Sequence, residues 1–292
     1  MSHAPCRAPG GAAMTRAPGG MVASGFVTSD ATPRAARPRV RARARTQPLS
    51  GRAAFALELV AFLLLMVVYE LVRDLVEPGS AAGALQNAAT VIDVETALGL
   101  FVEPDLQTAI AGVPGGELVV TWLYTLAHTA GFTLFFLWLW SRHRERFRFI
   151  WTWFWVTNGL ALLGYWLAPL APPRLAGLGL TDPTAGTLTL GGSLDWFQPF
   201  RNEVAAMPSM HVGYTVLFAA ALMMLHRSRW RWLALAWPAG MMVVVMATAN
   251  HWWLDGLGGA AAVAVGLALT LAIAPLLPRP WRSKMALAGL PA

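Results

Sequence analysis

The chain has 292 residues, of which 56% are hydrophobic and 13% are charged, and its formal net charge is +7. Soluble proteins carry roughly 25% charged residues, so this composition excludes an ordinary soluble globular protein and indicates a membrane protein. The single cysteine, Cys6, excludes an internal disulfide and a thiolate metal site.

The N-terminal residues, 1–52, are rich in alanine, arginine, proline and glycine and lack a periodic apolar pattern. They carry nine arginines and one acidic residue, Asp30, a net charge of +8 that leaves the rest of the chain at −1. We expect a disordered basic tail, with binding of anionic lipid or nucleic acid as the alternative. The excess charge therefore describes the tail and not the rest of the chain, for which no nucleic-acid partner is expected.

Six apolar stretches follow, and most approach the ~20 residues that a helix needs to cross ~30 Å of hydrocarbon. They cover residues 53–72, 118–140, 149–170, 211–225, 232–249 and 254–277. The fourth is short, so its first turn is expected to begin at Pro208 or Ser209, with a re-entrant segment as the alternative. The sequence predicts an all-α polytopic membrane bundle of six transmembrane helices over residues 53–280, followed by a cytoplasmic tail, 281–292.

Arginine and lysine accumulate in short cytoplasmic loops, so their distribution predicts the orientation of the chain. With six spans and both termini in the cytoplasm, 19 of the 22 basic residues fall on the cytoplasmic side, and most acidic residues fall outside. Only Arg73, Arg174 and Arg201 are left on the outer face. We expect a multi-pass protein of the plasma (cytoplasmic) membrane whose active site is extracytoplasmic.

The connection between the first two spans, residues 73–116, is acidic and has apolar residues at helical spacing. This pattern predicts one or two amphipathic helices on the outer membrane surface. Such helices could form a roof over a functional site or contribute to ordinary packing.

Residues suited to binding phosphate stand at the outer ends of the third and fourth spans. Pro172 and Pro173 end the third span and hold Arg174 at the interface, where its guanidinium can bind phosphate oxygens bidentately or serve as a snorkelling anchor. Ser209 and His211 open the fourth span, where free backbone N–H groups favour an anion. Ser209 can be the N-cap of that helix or a hydroxyl donor to a phosphate.

A second short motif, residues 250–255, opens the sixth span. If the helix begins at Asn250, His251 and Asp255 share one face, and the carboxylate can fix the tautomer of the imidazole. Together with His211 they could instead form a metal site of two histidines and a carboxylate. The tryptophans between them, Trp252 and Trp253, are expected to be interfacial belt residues.

These motifs together resemble one known family. The sequences A-P-P-R at 171–174, A-M-P-S-M-H-V at 206–212 and N-H-W-W-L-D-G at 250–256 are similar to those of the type 2 phosphatidic acid phosphatase superfamily, in particular its branch of inositol phosphorylceramide synthases (inositolphosphotransferases). The resemblance covers about residues 117–277.

The resemblance implies a role for each motif residue. It makes His251 the nucleophile that becomes phosphohistidine, Asp255 its orienting partner and His211 the acid that protonates the leaving group. It assigns phosphate binding to Arg174 and Ser209 and requires no metal and no other cofactor.

The sequence also departs from the general pattern of that superfamily. Leu167 stands where a lysine is usual, Leu175 where a proline is usual, and Val245 where a second arginine is usual. These departures fit the inositolphosphotransferase branch better than the simple phosphatases. Nearby polar residues could compensate for the missing cations, and these are Arg201, Asn202, Thr248 and Asn250.

Two polar residues lie within the second span. His128 is expected about 16 Å from its outer end, and an ionisable residue inside the membrane indicates a functional role by default. Tyr124, one turn away, could be its hydrogen-bond partner or line a lipid access slot. We include both as candidate substrate-lining residues, with a helix-to-helix hydrogen bond as the alternative for His128.

The sequence favours an integral membrane lipid phosphatase or phosphotransferase that acts on a phosphorylated lipid at the outer leaflet of the bilayer. Water as acceptor would make it a phosphatase, and an alcohol such as inositol would make it a transferase. A non-catalytic phospholipid transporter or flippase is the alternative, and a metal-dependent hydrolase is a third hypothesis.

Overall fold

The structure is a computed structural model, and it describes residues 51–75, 81–126, 130–185 and 203–276. These residues form helices and connections, with one isolated bridge between Leu170 and Ala205 and no strand, so the all-α prediction is confirmed for them. The predicted N-terminal tail up to residue 50 and the predicted C-terminal tail lie outside the described residues.

The described part of the chain contains nine α-helices. They are α1 (Gly51–Leu75), α2 (Ala81–Ala97), α3 (Glu103–Ala111), α4 (Gly116–Leu126), α5 (Phe132–Arg142), α6 (Arg144–Leu167), α7 (Met210–Leu225), α8 (Ala236–Ala247) and α9 (Trp253–Ile273). Short 3-10 turns cover Pro173–Leu175, Arg229–Leu235 and Ala274–Leu276. Helices α2 and α3 lie where the sequence predicted amphipathic helices.

Among the described residues, two continuous helical segments are long and apolar enough to cross a membrane, Arg229–Ala247 and Trp253–Leu276. A third is reached if α3 and α4, which meet at an angle of 117°, are counted as one bent span. Helix α7 is apolar but shorter. These apolar helices are consistent with a membrane protein.

Two helix starts differ slightly from the sequence predictions. Helix α7 begins at Met210, with Ser209 as its N-cap, rather than at Pro208 or Ser209. Helix α9 begins at Trp253 rather than Asn250, because Trp252 has an extended backbone with φ −82° and ψ 161°. His251 therefore precedes the helix that carries Asp255, and the prediction that the two residues share one face of a helix was wrong.

The core forms where α6 and α7 pack against α9. Aromatic rings fill the space between α5, α6 and α7, with Phe135 and Phe218 stacked at 4.2 Å between ring centroids. The indole of Trp153 is fully buried and donates a hydrogen bond to the carbonyl of Val263, 2.8 Å away. This bond joins α6 to α9, so the helix that follows His251 is held by packing and by hydrogen bonding.

Helices α7 and α9 approach each other closely at Gly259. A Cβ atom at this position would collide with the backbone carbonyl of Ser209 and would also lie 3.1 Å from the backbone nitrogen of Gly213. Backbone atoms cannot rotate away as a side-chain end can, so glycine is required here. The contact places the start of α7 directly against the first turns of α9.

We expect Gly259→Ala to destabilise the protein by about 1–3 kcal/mol or more, because the added methyl group forces two backbones apart. The measurement is the thermal unfolding midpoint of the purified protein in detergent. Gly240→Ala in α8 is the matched control, since a Cβ there meets nothing within 4 Å. Equal midpoints for both variants would contradict the close contact.

Candidate active site

His251 lies in the short connection between α8 and α9 and is largely buried. Its Nδ1 atom is 3.1 Å from the carbonyl oxygen of Ala206 and 3.2 Å from Oδ2 of Asp255. Both neighbours are acceptors when Asp255 is ionised, so Nδ1 carries the proton. The lone pair of the neutral ring is then on Nε2. The predicted contact between His251 and Asp255 is present, although the helix begins after His251.

His211 is the second residue of α7, two positions after the N-cap Ser209. Its ring lies 5.5 Å from the ring of His251 and 4.0 Å from that of Tyr124, measured between centroids. The Tyr124 ring is nearly parallel to it, at 23°. The structure therefore brings two imidazoles, one from α7 and one from the connection before α9, within reach of one small group, with Tyr124 of α4 stacked on that of His211.

Arg174 is held by the segment that leads to His251. Its backbone nitrogen donates to the carbonyl of Ala249 at 3.1 Å, and its Nη1 donates to Oδ1 of Asn250 at 2.7 Å. Ala249 itself has a positive φ of 49°, which turns the chain after the end of α8. Arg174 and Asn250, both predicted to bind phosphate, thus contact each other beside His251.

The sequence analysis missed Asp182 as a site residue. Its Oδ2 lies 3.9 Å from Nε of Arg174, and its Oδ1 accepts a hydrogen bond from Nδ2 of Asn250 at 3.1 Å. The same Oδ1 accepts from the backbone and hydroxyl of Thr184. Arg174, Asn250 and Asp182 therefore form a closed triangle that fixes the orientation of the guanidinium.

Gln107 of α3 secures the segment that carries Asp182. Its side chain donates to the carbonyls of Thr181 and Ala247 and accepts from the backbone nitrogen of Thr181. Helix α3 therefore supports the site from outside the motif residues. No motif in the sequence indicated this glutamine.

Ser209 is fully buried and caps α7, although the distance from its hydroxyl oxygen to the nitrogen of Val212 is 3.5 Å. Its backbone nitrogen donates to the carbonyl of Asp255 at 2.8 Å. Ser209 is therefore the N-cap of α7 in the structure, as one of its two predicted roles requires. The same residue joins the start of α7 to the first turn of α9.

Two further acidic residues missed by the sequence analysis, Glu95 of α2 and Glu103 of α3, are fully buried at the start of α9. Oε1 of Glu103 accepts a hydrogen bond from the backbone nitrogen of Trp253 at 2.9 Å. Oε1 of Glu95 accepts from that of Leu254 at 2.8 Å. Charges in this segment were expected on the polar faces of surface helices, yet these two carboxyls cap a helix about 150 residues away in sequence.

Burial raises the pKa of Glu95 from 4.5 to about 8. Removal from water disfavours the charged form of a carboxyl, and the neighbouring Glu103 and Asp255 carboxyls act in the same direction. The hydrogen bond from Leu254 opposes the shift without cancelling it.

The position of Trp252 differs from its prediction. It was expected at the membrane interface, but it is fully buried and donates from Nε1 to the carbonyl of Ala171 at 2.8 Å. This bond connects the residue after His251 to the segment that leads to Arg174. Thr248, expected to compensate for a missing cation, is buried and donates its hydroxyl to the carbonyl of Val245.

Three predicted residues, Arg201, Asn202 and His128, lie outside the described residues. Within the described ranges, no three histidine, cysteine, aspartate or glutamate side chains are grouped so as to hold a metal ion. What the site presents is an oriented imidazole, a second imidazole, a fixed guanidinium and a helix N-terminus. Such a set can attack, protonate and stabilise a tetrahedral anion.

A scan against models of known protein families matches residues 89–269 to the PAP2 superfamily. The match covers more than half of the chain and includes all the described site residues from Glu95 to Asp255. Neither a curated protein nor a solved structure gave a match.

Proposed function

The chain belongs to the PAP2 superfamily, and from this premise we propose that it is an integral membrane enzyme that cleaves or transfers a lipid phosphate through a phosphohistidine on His251. The superfamily consists generally of phosphatases and suggests a lipid phosphate as the substrate. The observation that carries the proposal is the pair of acceptors, Ala206 and Asp255, on Nδ1 of His251.

In the first step, Nε2 of His251 attacks the phosphorus of the bound lipid. A P–N bond forms and the P–O bond to the lipid alcohol breaks, while His211 in its protonated form gives a proton to the departing oxygen. His251 gains positive charge in this step, and the Asp255 carboxylate next to its Nδ1–H stabilises that charge.

In the second step, His211, now neutral, takes a proton from the acceptor hydroxyl. The acceptor oxygen bonds to phosphorus and the P–N bond breaks, which restores both histidines to their starting states. Water as acceptor completes hydrolysis, and an alcohol completes a transfer. The distance of 5.5 Å between the two ring centroids supports action by both rings on one phosphoryl group.

Arg174 and the N-terminus of α7 are proposed to hold the phosphoryl oxygens. Negative charge gathers on these oxygens in the transition state, so donors fixed in advance lower the barrier. Contacts with Asn250 and Asp182 fix the guanidinium. Ser209 would contribute through the helix N-terminus that it caps, and Arg201, Asn202, Tyr124 and His128 remain proposed contributors to phosphate or substrate contacts.

We further propose six membrane crossings with both termini in the cytoplasm and the site on the outer face of the plasma membrane. The crossings would be α1, the pair α4 and α5, α6, α7, the segment 229–247, and the segment 253–276. Helix α1 has 25 residues, enough for ~37 Å at 1.5 Å per residue, and large apolar side chains along it are exposed. The distribution of arginine supports the orientation.

We propose, more specifically, that the enzyme transfers an inositol phosphate head group. This proposal rests on the positions where the superfamily usually has further cations. Val245 is fully buried in an apolar cluster with Met241 and Met246, and Leu167 is apolar and exposed. Neither position can supply a cation to the phosphate, as the resemblance to inositolphosphotransferases implies.

His251→Ala should lower phosphate release from a panel of lipid phosphates by at least about 10⁴-fold, because the nucleophile is removed. The assay uses purified protein with a chelator present. Wild-type protein should also retain an acid-labile, alkali-stable label from radiolabelled substrate, and the variant should not. His226→Ala, an exposed histidine at the other end of α7, is the control. A wild type that binds the lipids but never releases phosphate would favour the transporter alternative.

His211→Gln should lower turnover of a lipid phosphate by ~10²- to 10⁴-fold, because the leaving alcohol is no longer protonated. An aryl phosphate whose leaving group needs no proton should lose much less. The measurement compares kcat for the two substrates in wild type and variant. Equal losses on both substrates would contradict the role of His211 as the acid.

Addition of inositol to a reaction with native lipid extract should produce an inositol phosphate-containing lipid or shift the product from free phosphate. Mass spectrometry of the products with and without inositol makes the measurement. Products that are the same in both reactions would contradict the inositol branch while leaving the phosphatase reaction in place.

A further inference from the structure

Both oxygens of the Glu103 carboxyl accept hydrogen bonds from backbone nitrogens. Oε1 accepts from Trp253 at 2.9 Å, and Oε2 accepts from Val102 at 3.0 Å. An ionised carboxylate accepts both bonds without directing a proton at either N–H group, whereas the amide of a glutamine would direct a donor at one of them. The geometry therefore favours an ionised carboxylate at position 103.

The Glu95 carboxyl has a different set of neighbours. Its Oε1 accepts from Leu254, while its Oε2 is buried and has no hydrogen-bond partner among the described residues. The two carboxyls bind adjacent backbone nitrogens, those of Trp253 and Leu254, and the Glu103 carboxyl raises the pKa of Glu95. Two ionised carboxylates would repel one another there, whereas a proton on Oε2 of Glu95 would allow a hydrogen bond between them.

We propose that Glu95 is protonated in the working enzyme, donates to ionised Glu103, and that this singly charged pair positions His251 and Asp255 by capping α9. This role rests on the proposed function only for its effect on catalysis. The protonation itself is a property of the fold and is measured without any turnover.

The start of α9 already has two carboxylates, Glu103 and Asp255. The free N–H groups and dipole of the helix favour that of Glu103, and His251 stabilises that of Asp255. A further charge on Glu95 would face Glu103 on α3 and Asp255 on α9, both from packed helices. Ionisation would also remove the hydrogen bond between the glutamates. The first turn of α9 would then loosen, and with it the contact between Asp255 and His251.

The raised pKa of Glu95 agrees with this arrangement. Because its folded pKa, about 8, is above its ordinary value of 4.5, the native state binds the proton more tightly than the unfolded state. Stability from this group is therefore complete below 4.5 and is lost as the pH rises through about 8. Activity that depends on the capped helix should decline over the alkaline part of that range.

Glutamine substitutions distinguish the roles of Glu95 and Glu103. Glu95→Gln keeps an acceptor for Leu254 and a donor for Glu103, so it mimics the protonated acid and should lose little turnover near neutral pH. Glu103→Gln aims an amide donor at Trp253 or Val102 and should lower kcat by about 10- to 100-fold, as loss of a positioning partner does. Glu95→Ala provides neither group and should resemble Glu103→Gln.

Three measurements test the proposal on the full chain in detergent. Infrared spectra should show the carbonyl band of a protonated carboxylic acid below pH 8 that is lost above it, and this band should be absent in Glu95→Gln. The unfolding midpoint of wild type should fall as pH rises to about 8, and that of Glu95→Gln should fall less. The alkaline decline of kcat should also be weaker in Glu95→Gln. Asp93→Asn and Asp105→Asn, exposed acids on the same two helices, are the matched controls.

Absence of the protonated band, or equal damage from Glu95→Gln and Glu103→Gln, would overturn the proposal. If Glu103→Gln fails to fold, the infrared band and the pH dependence of Glu95→Gln still decide the question. An inactive wild type would count against the proposed function alone, since the band and the unfolding midpoint require no substrate.

Discussion

A helix that begins inside a protein must find acceptors for its first backbone N–H groups, and α9 begins in that way. Glu103 accepts from Trp253 and Glu95 accepts from Leu254, so carboxyls from two other helices satisfy these donors. The next residue is Asp255, the partner of His251. The arrangement of the imidazole therefore depends on how the start of α9 is capped. Residues far from the motif in sequence decide the geometry of His251, the proposed nucleophile.

The five residues before α9 organise the rest of the site. Ala249 accepts from the backbone of Arg174, Asn250 accepts from its guanidinium, and Trp252 donates to Ala171. A left-handed backbone at a non-glycine residue such as Ala249 costs about 1 kcal/mol, and packing around it must offset that cost. The result is a short segment whose backbone and side chains fix the arginine and the histidine together.

The helices and the convergence of His211 with His251 could be predicted because both follow from local patterns. Apolar stretches of sufficient length become helices, and helix ends on one side of a bundle lie near each other. The spacing of His251 and Asp255 predicted their contact but assigned it to a helix that begins only at Trp253. An imidazole extending from the residue before the N-cap reaches the same carboxylate, so the contact does not require the helical start.

Contacts between distant segments could not be predicted in the same way. The acidic connection was recognised as helical, yet no periodicity rule indicates that Glu95 and Glu103 turn inward to a helix about 150 residues later. Hydropathy argues against burial of a glutamate, and only a free helix N-terminus makes that burial favourable. Asp182 was missed for a similar reason, because an acid beside an arginine that is proposed to bind phosphate is unfavourable unless it orients the guanidinium, as the triangle with Asn250 does. In the proposed mechanism, part of the positive charge needed in the transition state comes from His251 itself as the P–N bond forms. Asp255 lies next to Nδ1 of His251, where its carboxylate would stabilise that charge.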